Sequence, residues 1–260
     1  MYNNSANTKF TGKSIHFLPS CHSTNTVAGE LIRTQKAVNG LIVITNEQTA
    51  GRGQQGNTWL SEANLNLTFS AIFFPSTYFI VDSFYLNIIS SLAVTETIER
   101  FVSLEKQVTV KWPNDIYIGN KKVSGILIEN TLRGDKIQTI VMGIGLNVNQ
   151  SQFEISHATS LLQEAGGGQI SLQEIFMQLC ESIEYYYLKF EQGNKIELHN
   201  LYLQKLFRLN QIHLFRDVEG PFSGIIRGIS INGELKIEKE FGQIQNYAFK
   251  EVTFLNHPFP

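Results

Sequence analysis

The sequence predicts an α+β fold: a strand-rich part with flanking helices through residue 208, then a small all-β unit. Three observations carry this. Short runs of β-branched and aromatic residues, several alternating apolar with polar, recur between residues 41 and 149. Helical spacing and a capping signature are confined to a few longer segments between them and after them. After Arg208 only short strands and turn residues remain.

The elements follow in order. Leu41-Ile42-Val43-Ile44-Thr45 reads as a buried strand. In LSEANLNLTFSAIFF, Leu65, Leu67, Phe69, Ala71 and Phe73 alternate with Asn66, Thr68 and Ser70, which is a second strand. From Asp82, FYLNIISSLAVTETIERF places Phe84, Ile88 and Leu92 on one face of a helix about five turns long. VTVKW alternates as a strand, IYI and VSGILIEN form a hairpin about GNKK, and IQTIVMGIGLNVN is a further strand. Ser171-Leu172-Gln173-Glu174 is a capping box opening a helix through about Phe190, and another helix runs near Ile196 to Phe207. Behind the boundary at residue 208, residues 209–260 make a small β-barrel with Asn232-Gly233 as a hairpin turn. No repeats or low-complexity tracts occur.

Composition excludes several classes. Net charge −2 argues against a general nucleic-acid binder. Cys21 and Cys180 lack metal-ligand spacing and suggest a reducing compartment, and the six histidines form no H-x-x-x-H pair. The polar start MYNNSANTKF lacks the apolar core of a signal peptide, and no apolar run reaches membrane-span length. The expectation is a soluble cytoplasmic protein.

Four stretches are polar where a plain core would not be: SCHSTN (20–25), the loop GRGQQG (51–56), KWPNDIYIGNKKVSGILIEN (111–130) and GIGLNVN (143–149). GRGQQG satisfies G-x-G-x-x-G, but a strand and not a helix follows it, and no acidic residue stands about 20 positions on, so the dinucleotide fingerprint lacks its mechanism. Between two strands the same glycines suit close backbone approach to an anion, with Arg52 as a fixed charge; the plain alternative is a long hairpin loop. Lys111 and Lys122 fit an anion site or solvent-facing strand ends, with Lys122 just before a strand beginning at Val123. Asn114-Asp115 fit a polar pair or a Pro-Asn-Asp turn. Gly143 and Gly145 share one face of a strand, where a flat ligand can approach or a helix can pack tightly. No G-x-S-x-G elbow, Cys–His pair or Walker motif is present. What remains is cationic and amide groups around glycine-rich backbone, a site that stabilises phosphoryl charge and orients reactants without a covalent group.

Together these residues resemble the biotin–protein ligases (biotin–[acetyl-CoA-carboxylase] ligases). STN at 23–25, EQTAGRG at 47–53, GNTW at 56–59, KWPND at 111–115, KKVSGILIE at 121–129 and GIGLNVN at 143–149 occur in the family's order and spacing. The resemblance spans about residues 15–255. It implies a mixed β-sheet with flanking helices, related to class II aminoacyl-tRNA synthetases, and an SH3-like C-terminal barrel. It also implies an ATP-dependent activation of biotin as biotinyl-5′-AMP with Mg²⁺ help, followed by transfer to a lysine of a biotin carboxyl carrier protein domain.

By the same resemblance Ser23, Thr24, Asn25 and Gln48 line the biotin pocket, and Gly125 joins them. Arg52, Gly53 and Gln54 belong to the loop closing over biotin and the α-phosphate. Lys122 meets the biotin carboxylate and later the acyl-phosphate, with Lys111 adding charge. Trp59 lies against the adenine with Asn147 on its edge, and Asn114 and Asp115 face the metal or the incoming acceptor lysine. Two departures stand out. The family loop reads G-R-G-R-x-G-R, and here Gln54 and Asn57 replace two arginines. The residues before Ile15 are too few for the helix-turn-helix that some members carry, so a monofunctional enzyme without operator binding is expected. Neither nucleic acid nor membrane is an expected partner, and a homodimer is admitted. The rivals are a lipoate–protein ligase and a non-catalytic biotin or adenylate sensor.

Overall fold

The computed structural model describes residues 2–3, 6–76 and 78–255. The first part is built on a mixed sheet of β1 (Ile15–Cys21), β2 (Ile42–Gln48), β3 (Leu67–Phe73), β4 (Tyr78–Phe79), β5 (Val108–Lys111), β6 (Asp115–Ile118), β7 (Lys121–Arg133) and β8 (Lys136–Leu146). Spatial order is β1-β2-β3-β8-β7-β6-β5, with β4 paired to β8. β1 and β2 are parallel, joined through helix α1 (Thr24–Arg33), and the other pairs are antiparallel.

The period of two decides which side each strand residue serves. Ile42, Ile44, Phe69, Ala71, Met142 and Ile144 join the main core with helices α2 (Ser83–Glu99) and α4 (Leu172–Glu191). Val43, Ile72 and Val141 point the other way and pack with Ala28 of α1 in a smaller cluster. The α1 side covers only part of the sheet.

Two sequence expectations, for α2 and α5, shift here, and β3 shows a burial that alternation alone does not convey. β3 is buried along its whole length, so Thr68 and Ser70 do not face solvent. α2 is buried over most of its circumference, because it is sandwiched between the sheet and α4 and α5 (Lys195–Lys205). Its Ser90, Thr95 and Thr97 hydroxyls return to backbone carbonyls one turn back, which makes burial tolerable. α5 ends at Lys205, before the expected Phe207, because Leu206 turns extended and Phe207 N–H donates to Val110 of β5. The helix opens at Ser171 as expected, with its hydroxyl accepting from Glu174 N–H. A short helix, α3 (Leu161–Ala165), lies between β8 and α4.

The C-terminal unit contains β9 (Ile212–Asp217), β10 (Gly220–Ile229), β11 (Leu235–Glu238), β12 (Ile244–Tyr247) and β13 (Thr253–Phe254). They form an antiparallel sheet in the order β12-β11-β10-β9-β13, with no β12–β13 pairing to close a ring among the described residues. Gly233 takes φ +84 in the Asn232-Gly233 turn. Phe215, Ile226, Ile237 and Tyr247 belong to the same continuous core as α2 and the large sheet. Among the described residues no helix is long and apolar enough to cross a membrane.

Candidate functional site

A cleft of about 600 Å³ opens on the part of the sheet that α1 leaves bare. Its floor follows a row of register partners: Thr68, Gly145, Gly125, Asp115 and Lys111 stand side by side on β3, β8, β7, β6 and β5. Glycine is required on this floor. A Cβ on Gly145 would lie 2.3 Å from the Trp59 indole, one on Gly125 3.0 Å from it, and one on Gly143 2.2 Å from Asn25 Oδ1. The flat group accepted by Gly125 and Gly145 is the protein's own Trp59, while Gly143 makes room for the Asn25 amide. The indole N–H is buried with no hydrogen-bond partner.

At one end, a chain of polar groups leads from β2 to β7. Thr24 N–H donates to Gln48 Oε1 at 2.7 Å, and the Ser70 hydroxyl lies 2.7 Å from Thr24 Oγ1 and 2.6 Å from Asn25 Oδ1. Asn25 Nδ2 donates to Glu129 at 2.8 Å. Ser23, Thr24 and Asn25 open α1, are all buried, and line the cleft with Gln48. Buried polar groups carry a desolvation cost unless paired, which accounts for this density of hydrogen bonds.

The glycine-rich loop is the connection between antiparallel β2 and β3, with a single 3₁₀ turn at Gln54–Gly56 and no following helix. Gly53 N–H donates to Asn57 O at 2.6 Å and Trp59 N–H to Gly51 O at 3.0 Å, so the loop folds back on itself. A Cβ on Gly51 would sit 2.3 Å from the Trp59 carbonyl oxygen. Arg52 pairs with Glu129 at 2.8 Å, and Gln54 Oε1 is buried without a partner.

Cations gather at the other end. Lys122 Nζ sits 2.7 Å from Asp115 Oδ1 and 5.5 Å from the centre of the Trp59 ring. β7 begins at Lys121, so Lys122 lies within the strand and not before it. A bulge between Ile116 and Tyr117 lets the hairpin turn come at Gly119-Asn120, one step earlier than the GNKK pattern suggests. Lys111 donates to the Tyr117 hydroxyl at 3.2 Å and lies 5.1 Å and 5.3 Å from the Tyr117 and Phe254 rings. Burial pushes the Lys111 ammonium below its ordinary pKa, opposed by Asp115 and reinforced by Arg208 and Lys122. Trp112–Pro113 is a cis peptide, and the Asn114 side-chain amide donates to Ile126 O.

The cleft therefore brings together Ser23, Thr24, Asn25, Gln48, Arg52, Gly53, Gln54, Trp59, Lys111, Asn114, Asp115, Lys122 and Gly125. It does not bring in Asn147, whose side chain donates to Thr159 O at 3.0 Å behind the lining. Several contributors escaped the sequence reading. Thr68 and Ser70 were legible only as the polar half of an alternating strand, and Glu129 only as a residue sharing the face of Gly125. Phe249, Val252 and Phe254 wall the cleft from the C-terminal unit with no local signal at all.

Residues 17–147, half of the chain, match the Biotin/lipoate A/B protein ligase family, and the protein belongs to it. Within that family its similarities are to biotin ligases. The bifunctional ligase/repressor BirA of Bacillus subtilis is 28% identical over 245 residues, covering 93% of this chain and 74% of that protein. The biotin–[acetyl-CoA-carboxylase] ligase of Paracoccus denitrificans is 24% identical over 237 residues, covering 89% and 98%. The biotin protein ligase from Aquifex aeolicus in complex with biotin and ATP superposes with TM-score 0.76 at 28% identity, over 94% of this chain and all of that one.

Proposed function

We infer that the protein is an ATP-dependent biotin–protein ligase: it activates biotin as biotinyl-5′-AMP and passes the biotinyl group to a lysine of a biotin carboxyl carrier protein domain. The observation that carries this is one cleft in which a polar amide cluster, a glycine floor under an indole, and the cations Arg52, Lys111 and Lys122 meet. The similarity to biotin ligases along nine-tenths of the chain favours biotin over lipoate within the family.

The two steps place the demands on these residues. A biotin carboxylate oxygen attacks the α-phosphorus of ATP, and the bond to pyrophosphate breaks. The acceptor's neutral amine then attacks the acyl carbon, the C–O bond to AMP breaks, and the amine proton leaves. Both steps build negative charge on phosphate oxygens, and fixed cations in a partly dry cleft stabilise it without reorganising. Lys122 would meet the carboxylate by turning from Asp115, while Arg52 and Gln54 hold the phosphate side. Trp59 would present its indole to the adenine, and the Asn25 and Thr24 cluster would bond the ureido ring.

Asp115 is the carboxylate lining the cleft among the described residues, so a magnesium ion arriving with ATP would meet it there, with nucleotide phosphates and water as further ligands. That ion would neutralise phosphate charge. The reading also takes residues 1–208 as the catalytic unit, residues 209–260 as an SH3-like unit, and the cytoplasm as the place of action. The test is biotin-dependent exchange of labelled pyrophosphate into ATP, followed by transfer to a carrier domain. Exchange dependent on lipoate instead, or biotin binding without exchange, overturns the reading.

A further inference from the structure

Glu129 is not part of the cleft wall, yet it bonds to two residues that are, Asn25 and Arg52. One carboxylate oxygen, Oε2, accepts from Asn25 Nδ2 and from Arg52 Nη2, each at 2.8 Å. The donors belong to different elements: Asn25 to the first turn of α1 and Arg52 to the glycine-rich loop. Glu129 itself stands on β7, two and four residues beyond Leu127 and Gly125 and therefore on their face of the sheet.

As a stabilising ion pair this contact is weak. The side chains of Arg52 and Glu129 are 45% and 41% exposed, and pairs so open to solvent contribute little to folding. As an orienting contact it is well made. An ionised carboxylate only accepts hydrogen bonds, so Asn25 turns its NH₂ toward Glu129, with the Leu127 carbonyl a longer second acceptor at 3.4 Å, and its oxygen toward Ser70. Arg52 commits a single nitrogen to Glu129, and the remaining N–H groups of its planar fork stay available to an anion.

We propose that Glu129 is a positioning residue that ties the orientation of the loop guanidinium to that of the Asn25 amide. One group thereby presets both the acceptor offered to the ring end of the substrate and the donors offered to its phosphate end. The proposal rests on the ligase reading above.

Glu129→Gln and Glu129→Ala separate the two halves of the role. Glutamine retains an oxygen to which Asn25 can donate but loses the charge that holds Arg52; alanine loses both. In pyrophosphate exchange, Glu129→Gln is expected to raise the KM for ATP at least about fivefold while the KM for biotin stays within about twofold. Glu129→Ala raises both. In an Arg52→Ala background, Glu129→Gln should leave the ATP KM where Arg52→Ala put it, because the two act through one contact. An ATP KM for Glu129→Gln equal to wild type, or an effect additive with Arg52→Ala, overturns the proposal.

A second measurement does not depend on catalysis. Amide hydrogen exchange of residues 51–58 in the ligand-free protein should quicken equally in Glu129→Gln, Arg52→Ala and the double variant, with an unchanged global unfolding midpoint. If the wild type shows no pyrophosphate exchange, the ligase reading fails, and this measurement still decides the role of Glu129. Loop exchange unaltered by Glu129→Gln refutes it.

Discussion

Lys122 shows how one side chain can be nearly idle for folding and central to chemistry. Its ammonium pairs with Asp115 at the edge of the cleft, both side chains being more than a quarter exposed. Losing such a pair costs about 0–1 kcal/mol of stability, whereas losing a cation beside developing phosphoryl charge costs about 2–4 kcal/mol in rate. Lys122→Ala should therefore depress pyrophosphate exchange by roughly 30- to 1000-fold while the urea midpoint barely moves. Near-normal exchange would remove Lys122 from the mechanism. Gln54 invites the opposite experiment. It is a neutral residue at the tip of the loop with its Oε1 buried and unpartnered, and it stands where the resemblance expects an arginine. Charged hydrogen bonds contribute about 1.5–3 kcal/mol against about 1 for neutral ones. Gln54→Arg should slow dissociation of biotinyl-5′-AMP at fixed salt, and equal rates would mean that position 54 does not hold the phosphate.

Among the elements, the C-terminal strands are joined by a charged knot that behaves predictably with pH. Asp217 at the end of β9 accepts from Lys239 Nζ at 2.8 Å and the Tyr247 hydroxyl at 2.7 Å through Oδ2, and from Glu219 N–H at 2.9 Å through Oδ1. The Lys239 hydrogen bond, with those of Tyr247 and Glu219, holds its carboxyl below the usual range despite desolvation. A carboxyl whose pKa is depressed by folding stabilises above its unfolded value and loses that contribution as pH falls through the folded value. Asp217→Asn removes the nearer counter-charge of Lys239 and leaves it only the exposed Glu219 carboxylate at 3.5 Å, which should cost about 1.5–3 kcal/mol. Unfolding of wild type and variant should differ most at neutral pH, begin to approach each other below the unfolded carboxylate pKa of about 3.9, and converge only below the lower folded value. A difference independent of pH would assign the effect to packing instead.

On the scale of the whole molecule, the two units share one core, and their contact reaches the site. Trp112, beside Lys111, donates its indole N–H to Gly233 O at 2.8 Å, and Phe249 packs edge-on against the same indole. A Cβ on Gly233 would fall 2.1 Å from the Phe84 ring, at a backbone φ of +84 that side chains resist. Gly233→Val should lower stability by about 1–3 kcal/mol through overpacking and strain. It should also raise the KM for ATP, because Phe249 and Phe254 follow the shifted unit away from the cleft. An unchanged KM in a destabilised variant would show that the units couple in folding but not in function.

The sequence by itself determined the local elements and most of the chemistry. Alternation in β3, the helix start at Ser171, the Asn232-Gly233 turn and the motifs carried by residues 23–25, 51–59, 111–115 and 143–147 all depend on neighbours a few positions apart. Such patterns survive in one dimension because backbone geometry repeats every two or 3.6 residues. Only the tertiary structure decided what those elements face. Strand order and register set Gly145, Gly125, Asp115 and Lys111 in one row, put Ser70 into a buried hydrogen-bond chain and Thr68 on the cleft floor, and left Asn147 behind the cleft. They also put Glu129 within reach of an arginine 77 residues away and gave the cleft a wall from the far end of the chain. No local pattern encodes these pairings. They follow from burying one face of each strand against α2 and α4 while α1 covers only part of the other.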